Sequence, residues 1–265
     1  MKNRTFAAHL YRLFCSPPLY ICIVSYVLLL IVPMLRPNYL NNSVMSSLLR
    51  AQTSAFYFVL SAVIPALAYA VTYVDDYDTR MLYPWAVRSG AKPYAVSYYL
   101  TALLGGFLVG FLGNAIYIGI HLLLGMKLDA DIGWNHTATY SQYDAIYDEG
   151  QIALYVFIIL LEYALGAAAM AGISAMCSSL FHQRFATLAI PVFYFFMTEV
   201  YAKLAHVFGW INLHKLLIPD YLAQTSFYMK DPSLNVLYKL LTVALHVIVC
   251  GYITVRHIER SVDNA

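Results

Sequence analysis

Apolar residues run in long stretches at roughly 19–35, 53–74, 95–124, 151–178, 185–208 and 235–255, with the polar residues gathered between them. A bilayer core about 30 Å thick takes about 20 helical residues to cross, and each stretch is near or above that length. Backbone groups inside lipid must be satisfied within their own segment, which makes the helix the economical solution. The pattern therefore predicts an all-α integral membrane protein with six transmembrane helices, organised as a single transmembrane domain over 1–265 with no long linker or repeat.

The first fourteen residues have a different pattern. Phe6, Leu10, Leu13 and Phe14 share one face at helical spacing, and Lys2, Arg4 and Arg12 lie away from it. This predicts an N-terminal interfacial helix that lies on the membrane before the chain turns inward at Ser16-Pro17-Pro18; the alternative is a plain charged tail. The same basic residues ahead of an apolar run imitate a signal peptide. The run is long, however, it ends in Val32-Pro33-Met34, and no small-x-small cleavage pattern follows, so it reads as a retained first span. Farther along, 75–94 reads as a polar inner loop, 179–184 as a very short inner turn, and 209–234 as a half-apolar outer segment, either re-entrant or a surface helix pair.

Composition agrees with the pattern. The chain is 61% hydrophobic and 11% charged, where soluble domains carry about 25% charged residues. Its 24 tyrosines suit membrane interfaces. A net charge of +2 with no polybasic run gives no reason to expect nucleic acid as a partner. Cys15, Cys22, Cys177 and Cys250 form no CxxC pair and read as small apolar packing residues, so neither a disulfide framework nor a metal site is expected.

Positive charge orients the helices. With the N-terminus inside, the inner side holds Lys2, Arg4, Arg12, Arg80, Arg88, Lys92, Arg184, Arg256 and Arg260. The outer side holds Arg36, Arg50, Lys127, Lys203, Lys215, Lys230 and Lys239. The segment 125–150, with Asp129, Asp131, Asp144, Asp148 and Glu149 against Lys127, suits the outer face. The reading is a multi-pass protein of the cell membrane with both termini cytoplasmic. Asn41-Asn42-Ser43 and Asn135-His136-Thr137 match the glycosylation sequon by chance frequency alone.

The inner loop carries the most informative polar residues: Asp75-Asp76-Tyr77-Asp78-Thr79-Arg80, then Tyr83-Pro84-Trp85-Ala86-Val87-Arg88-Ser89-Gly90-Ala91-Lys92. Residues 78–88 can form a short surface helix with Met81, Leu82 and Trp85 on its apolar side, either a docking element for a partner protein or a solvated loop. Here the chain resembles the type 2 ABC-transporter permeases, the export-type membrane subunits. That family has six spans, both ends in the cytoplasm, an acidic Gly/Thr-containing loop after the second span, and a Pro and an Arg before the third. Asp78-Thr79, Pro84 and Arg88 occupy those places, with Asp78 where the family usually has Gly.

The resemblance covers almost the whole chain and rests on layout more than on identities. It implies that Asp78, Thr79, Arg80, Pro84, Trp85 and Arg88 belong to a coupling segment that contacts a separate cytoplasmic ABC ATPase. It also implies a second permease copy or relative. The chain contains no GxxxxGK[ST] phosphate loop. ATP and Mg would then be bound by the partner subunit, with no cofactor in this chain and no catalysis of its own. An amphipathic or peptide-like substrate is the expectation.

Small residues recur within the spans. Gly106 and Gly110 form a GxxxG pair, and Ala164, Ala168 and Gly172 repeat at four-residue spacing. Such stripes let helix backbones approach in lipid, as a dimer seam, a moving interface or internal packing. Charges inside spans are costly and face protein or water. Glu162 has no partner within its own helix; it either lines a substrate path or hydrogen-bonds a neighbouring helix. Glu199 and Lys203 stand four apart and can pair. His121, His206 and His246 have no metal-ligand spacing, and HExxH and GxSxG are absent. A proton-coupled secondary transporter using Glu162 and a membrane His, and a membrane-embedded enzyme or structural membrane subunit, are the competing readings.

Overall fold

The computed structural model describes residues 2–32, 44–52, 55–128, 146, 149–208 and 232–263. Helices account for nearly all of them, and no β-strand occurs among the described residues. In chain order the helices are α1 (Lys2–Cys15), α2 (Pro17–Ile31), α3 (Val44–Gln52), α4 (Ala55–Leu67), α5 (Thr72–Asp78), α6 (Leu82–Ser89), α7 (Ala91–Leu123), α8 (Ile152–Phe181), α9 (Arg184–Phe208) and α10 (Pro232–Asp263).

Three of these helices are each long and apolar enough to cross a membrane: α7, α8 and, from Val236, α10. Two bent pairs, α1 with α2 (53°) and α4 with α5 (50°), raise the number of candidate spans to five. The fifth predicted span, 185–208, holds a shorter apolar helix over Arg184–Thr198. The expected all-α architecture is present, with three to five candidate membrane spans among the described residues where the hydropathy pattern predicted six.

The second predicted span shows why the count differs. Its apolar run continues through Ala68-Tyr69-Ala70-Val71, but the helix breaks there, shortly after Pro65. The carbonyl of Ala70 inside the break accepts a 2.6 Å hydrogen bond from the Tyr98 hydroxyl of α7. A polar side chain from a neighbouring helix satisfies the interrupted backbone, which is the condition for tolerating such a break at membrane depth. The acidic residues Asp75, Asp76 and Asp78 consequently lie in helix α5 and not in an open loop.

The antiparallel pair α7–α8 forms the centre of the bundle. A Cβ built on Gly106 would come within 2.6 Å of Ala171 Cβ and 2.8 Å of the Ala167 carbonyl; one on Gly110 would meet Ala167 Cβ at 2.8 Å and Ala164 Cα at 3.0 Å. Gly172 faces Leu103 and Tyr99 of α7. Absent side chains let the two backbones touch, and dispersion over this close contact replaces the hydrophobic drive that lipid does not supply. Of the alternatives the sequence left open for these small residues, the structure places internal packing here.

One end of the bundle collects α1, α5, α6, the start of α7, the α8–α9 turn and the end of α10. Arg12 pairs with Asp76, Arg184 pairs with Asp75, and the rings of His182 and His257 lie 5.8 Å apart. Both described ends of the chain, the segment 75–94 and the short turn at 179–184 therefore share one end of the bundle. The other end holds the start of α3, whose Val44 N–H donates to the Lys127 carbonyl at 2.9 Å. Both sequons and nearly all of 209–234 lie outside the described residues, as do the side chains of Glu199, Lys203 and His206.

Candidate functional site

The predicted coupling segment forms a shaped surface. Asp78 ends α5, and Thr79 caps it by donating its hydroxyl to the Asp75 carbonyl at 2.6 Å. Arg80 reverses the chain in the left-handed region, φ 57°. Helix α6 follows, with Pro84 in its first turn, where a missing N–H interrupts no helical bond. Gly90 stops it at φ 85° and opens α7 directly. Leu82 and Ala86 bury into the bundle, whereas Met81, Pro84, Val87 and Arg88 are exposed. Met81 therefore leaves the apolar side on which the sequence placed it.

Helix α1 braces this surface. Thr5, His9 and Leu13 are its buried positions, whereas Phe14 is exposed; of the predicted apolar face, Leu13 packs into the bundle. The Arg12 guanidinium grips both Asp76 oxygens, at 2.7 and 2.9 Å, and the Tyr94 hydroxyl donates to Asp76 Oδ2 at 2.8 Å. His9 Nδ1 and the Tyr69 hydroxyl are 2.6 Å apart. The His9 ring also packs against Trp85 and Tyr94, with centroids 5.9 and 5.1 Å away. Trp85 of α6 is thus tied through His9 to α1, and through the Arg12–Asp76 pair to α5 and α7.

On the far side of α5, Arg184 reaches Asp75 at 2.7 Å. His182 ends α8 in the left-handed region, φ 51°, and sits among Tyr73, Tyr77 and His257. Burial, followed by the neighbouring His257, lowers the His182 pKa below its ordinary 6.5, with Asp78 opposing the shift.

A second site lies deeper. Lys239 Nζ is 2.9 Å from Glu162 Oε1, and the two side chains are 2% and 7% exposed. Glu162 lies ten residues into α8, about 15 Å from its start at 1.5 Å per residue. Lys239, counted among the outer charges from its sequence position, is instead an interior residue of α10. One turn and two turns further on the same face of α10 stand Thr242 and His246. His246 Nδ1 lies 2.8 Å from the Thr242 carbonyl, and its Nε2 lies 3.3 Å from the Tyr194 hydroxyl of α9. His121 packs on Tyr117, with Nδ1 2.9 Å from that residue's carbonyl. Among the described residues no group of three or more His, Cys, Asp or Glu could hold a metal ion.

The sequence reading named Asp78, Thr79, Arg80, Pro84, Trp85, Arg88 and Glu162, and the structure divides them between these two places. It missed His9, Asp76 as the anchor of Arg12, and Lys239. A lone acid in one span and a lone base just inside another was the available signal for the last of these. No family model, curated protein or solved structure matches this chain.

Proposed function

We propose that this chain is the membrane permease subunit of an ATP-driven exporter of the type 2 ABC kind. In this reading α2, the α4–α5 pair, α7, α8, α9 and α10 are six spans of the cell membrane, and α1 is an interfacial helix on the cytoplasmic side with both termini. Two permeases, identical or related, work with two ATPase subunits that bind ATP and Mg. The substrate is amphipathic or peptide-like, and this chain performs no catalysis.

The observation that carries the reading is α6. It is a short helix held at the bundle end between α5 and α7, anchored by Leu82 and Ala86 and braced through Trp85 and His9, while Pro84, Val87 and Arg88 face outward. Such an element can receive a partner's movement and pass it to the spans. The sequence contains no phosphate loop, so in this reading the nucleotide is bound by the partner ATPase. The test is affinity purification from native membranes in mild detergent, with co-purifying chains identified and ATP hydrolysis assayed. A stoichiometric phosphate-loop ATPase, lost when 79–88 is disrupted, supports the proposal; a chain that purifies alone without ATP hydrolysis overturns it.

The Glu162–Lys239 pair favours a second reading, a proton-coupled carrier, because ionisable residues at membrane depth often mark ion pathways. That reading requires transport that survives ATP depletion, collapses with the proton gradient and is lost in Glu162→Gln. Unchanged transport in Glu162→Gln removes Glu162 from any substrate or proton path.

A further inference from the structure

Between α1 and α6 runs a groove of about 660 Å³ lined by Arg4, Thr5, Met81, Pro84, Trp85 and Arg88, together with Ser89. None of these residues is acidic. At the same end, Arg12 and Arg184 each have a carboxylate at 2.7 Å. Arg4 and Arg88, both exposed, have no ion pair among the described residues. The groove thus gathers two uncompensated guanidiniums, and the guanidinium fork fits phosphate oxygens in bidentate fashion.

The surroundings select the source of that phosphate. Arg4 heads an exposed stripe on α1 that continues through Ala7, Tyr11 and Phe14 at helical spacing, with Tyr11 73% and Phe14 45% exposed. This stripe runs toward the bend where α1 meets α2, the first long apolar helix after it. Across the groove, Trp85 supplies an amphipathic ring of the kind favoured at the membrane–water boundary, and Met81 supplies apolar surface. Cations at one end of an apolar track match a charged headgroup above an acyl chain.

We propose that this groove is a binding site for an anionic phospholipid, its headgroup phosphate held between Arg4 and Arg88 and one acyl chain laid along Ala7, Tyr11 and Phe14. The site stands on the same end as the proposed coupling helix and shares Trp85 and Arg88 with it. It does not depend on the ATPase reading, since it can be measured on the permease chain alone.

The experiment uses the full chain with Trp134→Phe and Trp210→Phe, which leaves Trp85 as the sole tryptophan. The protein is reconstituted in phosphatidylcholine vesicles and titrated with headgroup-spin-labelled phosphatidylglycerol or its phosphatidylcholine counterpart. Trp85 fluorescence is expected to be quenched preferentially by the anionic lipid. Arg4→Gln with Arg88→Gln should weaken that preference about twenty-five-fold, each cation contributing roughly a factor of five near an anionic surface. Arg4→Lys with Arg88→Lys should retain most of it, and both variants should elute as monodisperse protein. Equal quenching by the two lipids, or a preference unchanged in the Gln variant, overturns the proposal. Unchanged lipid preference combined with loss of a co-purifying ATPase reassigns the groove to protein docking.

Discussion

Lys239 of α10 and Glu162 of α8 form an ion pair of 2.9 Å in the interior of a helix bundle. Their position is unusual because α10 is the most exposed of the three long apolar helices, with 22% of its most apolar window buried against 56% for α8. Polar contacts are spaced along its attachment to the bundle: Lys239 to Glu162, His246 to Tyr194, and the Val247 carbonyl to the Tyr99 hydroxyl at 2.8 Å. Lipid supplies no hydrophobic drive for helix association, so such contacts, together with close packing, hold the helix in place.

Removing one partner of this pair leaves a charge buried without its counter-ion, which costs about 3–5 kcal/mol in comparable interiors. Lys239→Met and Glu162→Gln should each lower the unfolding temperature in detergent. The double variant should recover most of the loss, because neither charge then remains. Additive losses in the double variant would show that the two side chains do not act as a pair.

The Arg12–Asp76 pair predicts an asymmetry. Asp76 is 4% exposed and Arg12 39% exposed at the side chain. Arg12→Ala strands a buried carboxylate with only the Tyr94 hydroxyl, whereas Asp76→Asn releases an arginine that can reach water. We expect a loss of about 3 kcal/mol for the first and about 1 kcal/mol for the second. Both should speed hydrogen exchange across α1, and equal effects would mean that burial of Asp76 does not govern the contact.

Glycines in α7 separate into two kinds. Alanine at Gly110 must displace Ala167 or the Ala164 backbone, and should destabilise by about 1–3 kcal/mol through overpacking. Alanine at Gly119 meets nothing within 4 Å and should stabilise by up to about 1 kcal/mol through helix propensity. Thermal unfolding of the two variants side by side checks the packing of α7 on α8.

His182 predicts the pH dependence. Its folded-state pKa is depressed by burial and by His257. Below the ordinary value of about 6.5 the unfolded chain takes up a proton that the folded protein resists, so stability is full above that pH and falls as pH drops through the region beneath it. His182→Gln should flatten the acid side of a plot of unfolding temperature against pH. An unchanged slope would show that His182 does not set the acid sensitivity.

Much of the layout was legible in the chain. The apolar runs at 95–124, 151–178 and 235–255 correspond to α7, α8 and α10, because hydropathy over about twenty residues reports directly on helices that lipid or neighbouring helices must cover. The GxxxG pair was legible for a similar reason: a missing side chain marks a close approach wherever it occurs. The break after Leu67 was not legible, since Ala68-Tyr69-Ala70-Val71 is as apolar as the helix before it. Tyr98, twenty-eight residues on, satisfies the freed carbonyl. The anchoring of α1 was not legible either: Arg12, read only as one of the basic residues away from its apolar face, pairs with Asp76 sixty-four positions on.

By itself the sequence determined the helical class and the approximate places of the long apolar helices, because each depends on residues close together in the chain. The tertiary structure alone decided which charges meet. Arg12 with Asp76, Arg184 with Asp75 and Glu162 with Lys239 are separated by 64, 109 and 77 positions. An ion pair depends on distance in space, and those of the buried acids Asp76 and Glu162 also on exclusion of water; neither quantity is carried by local pattern.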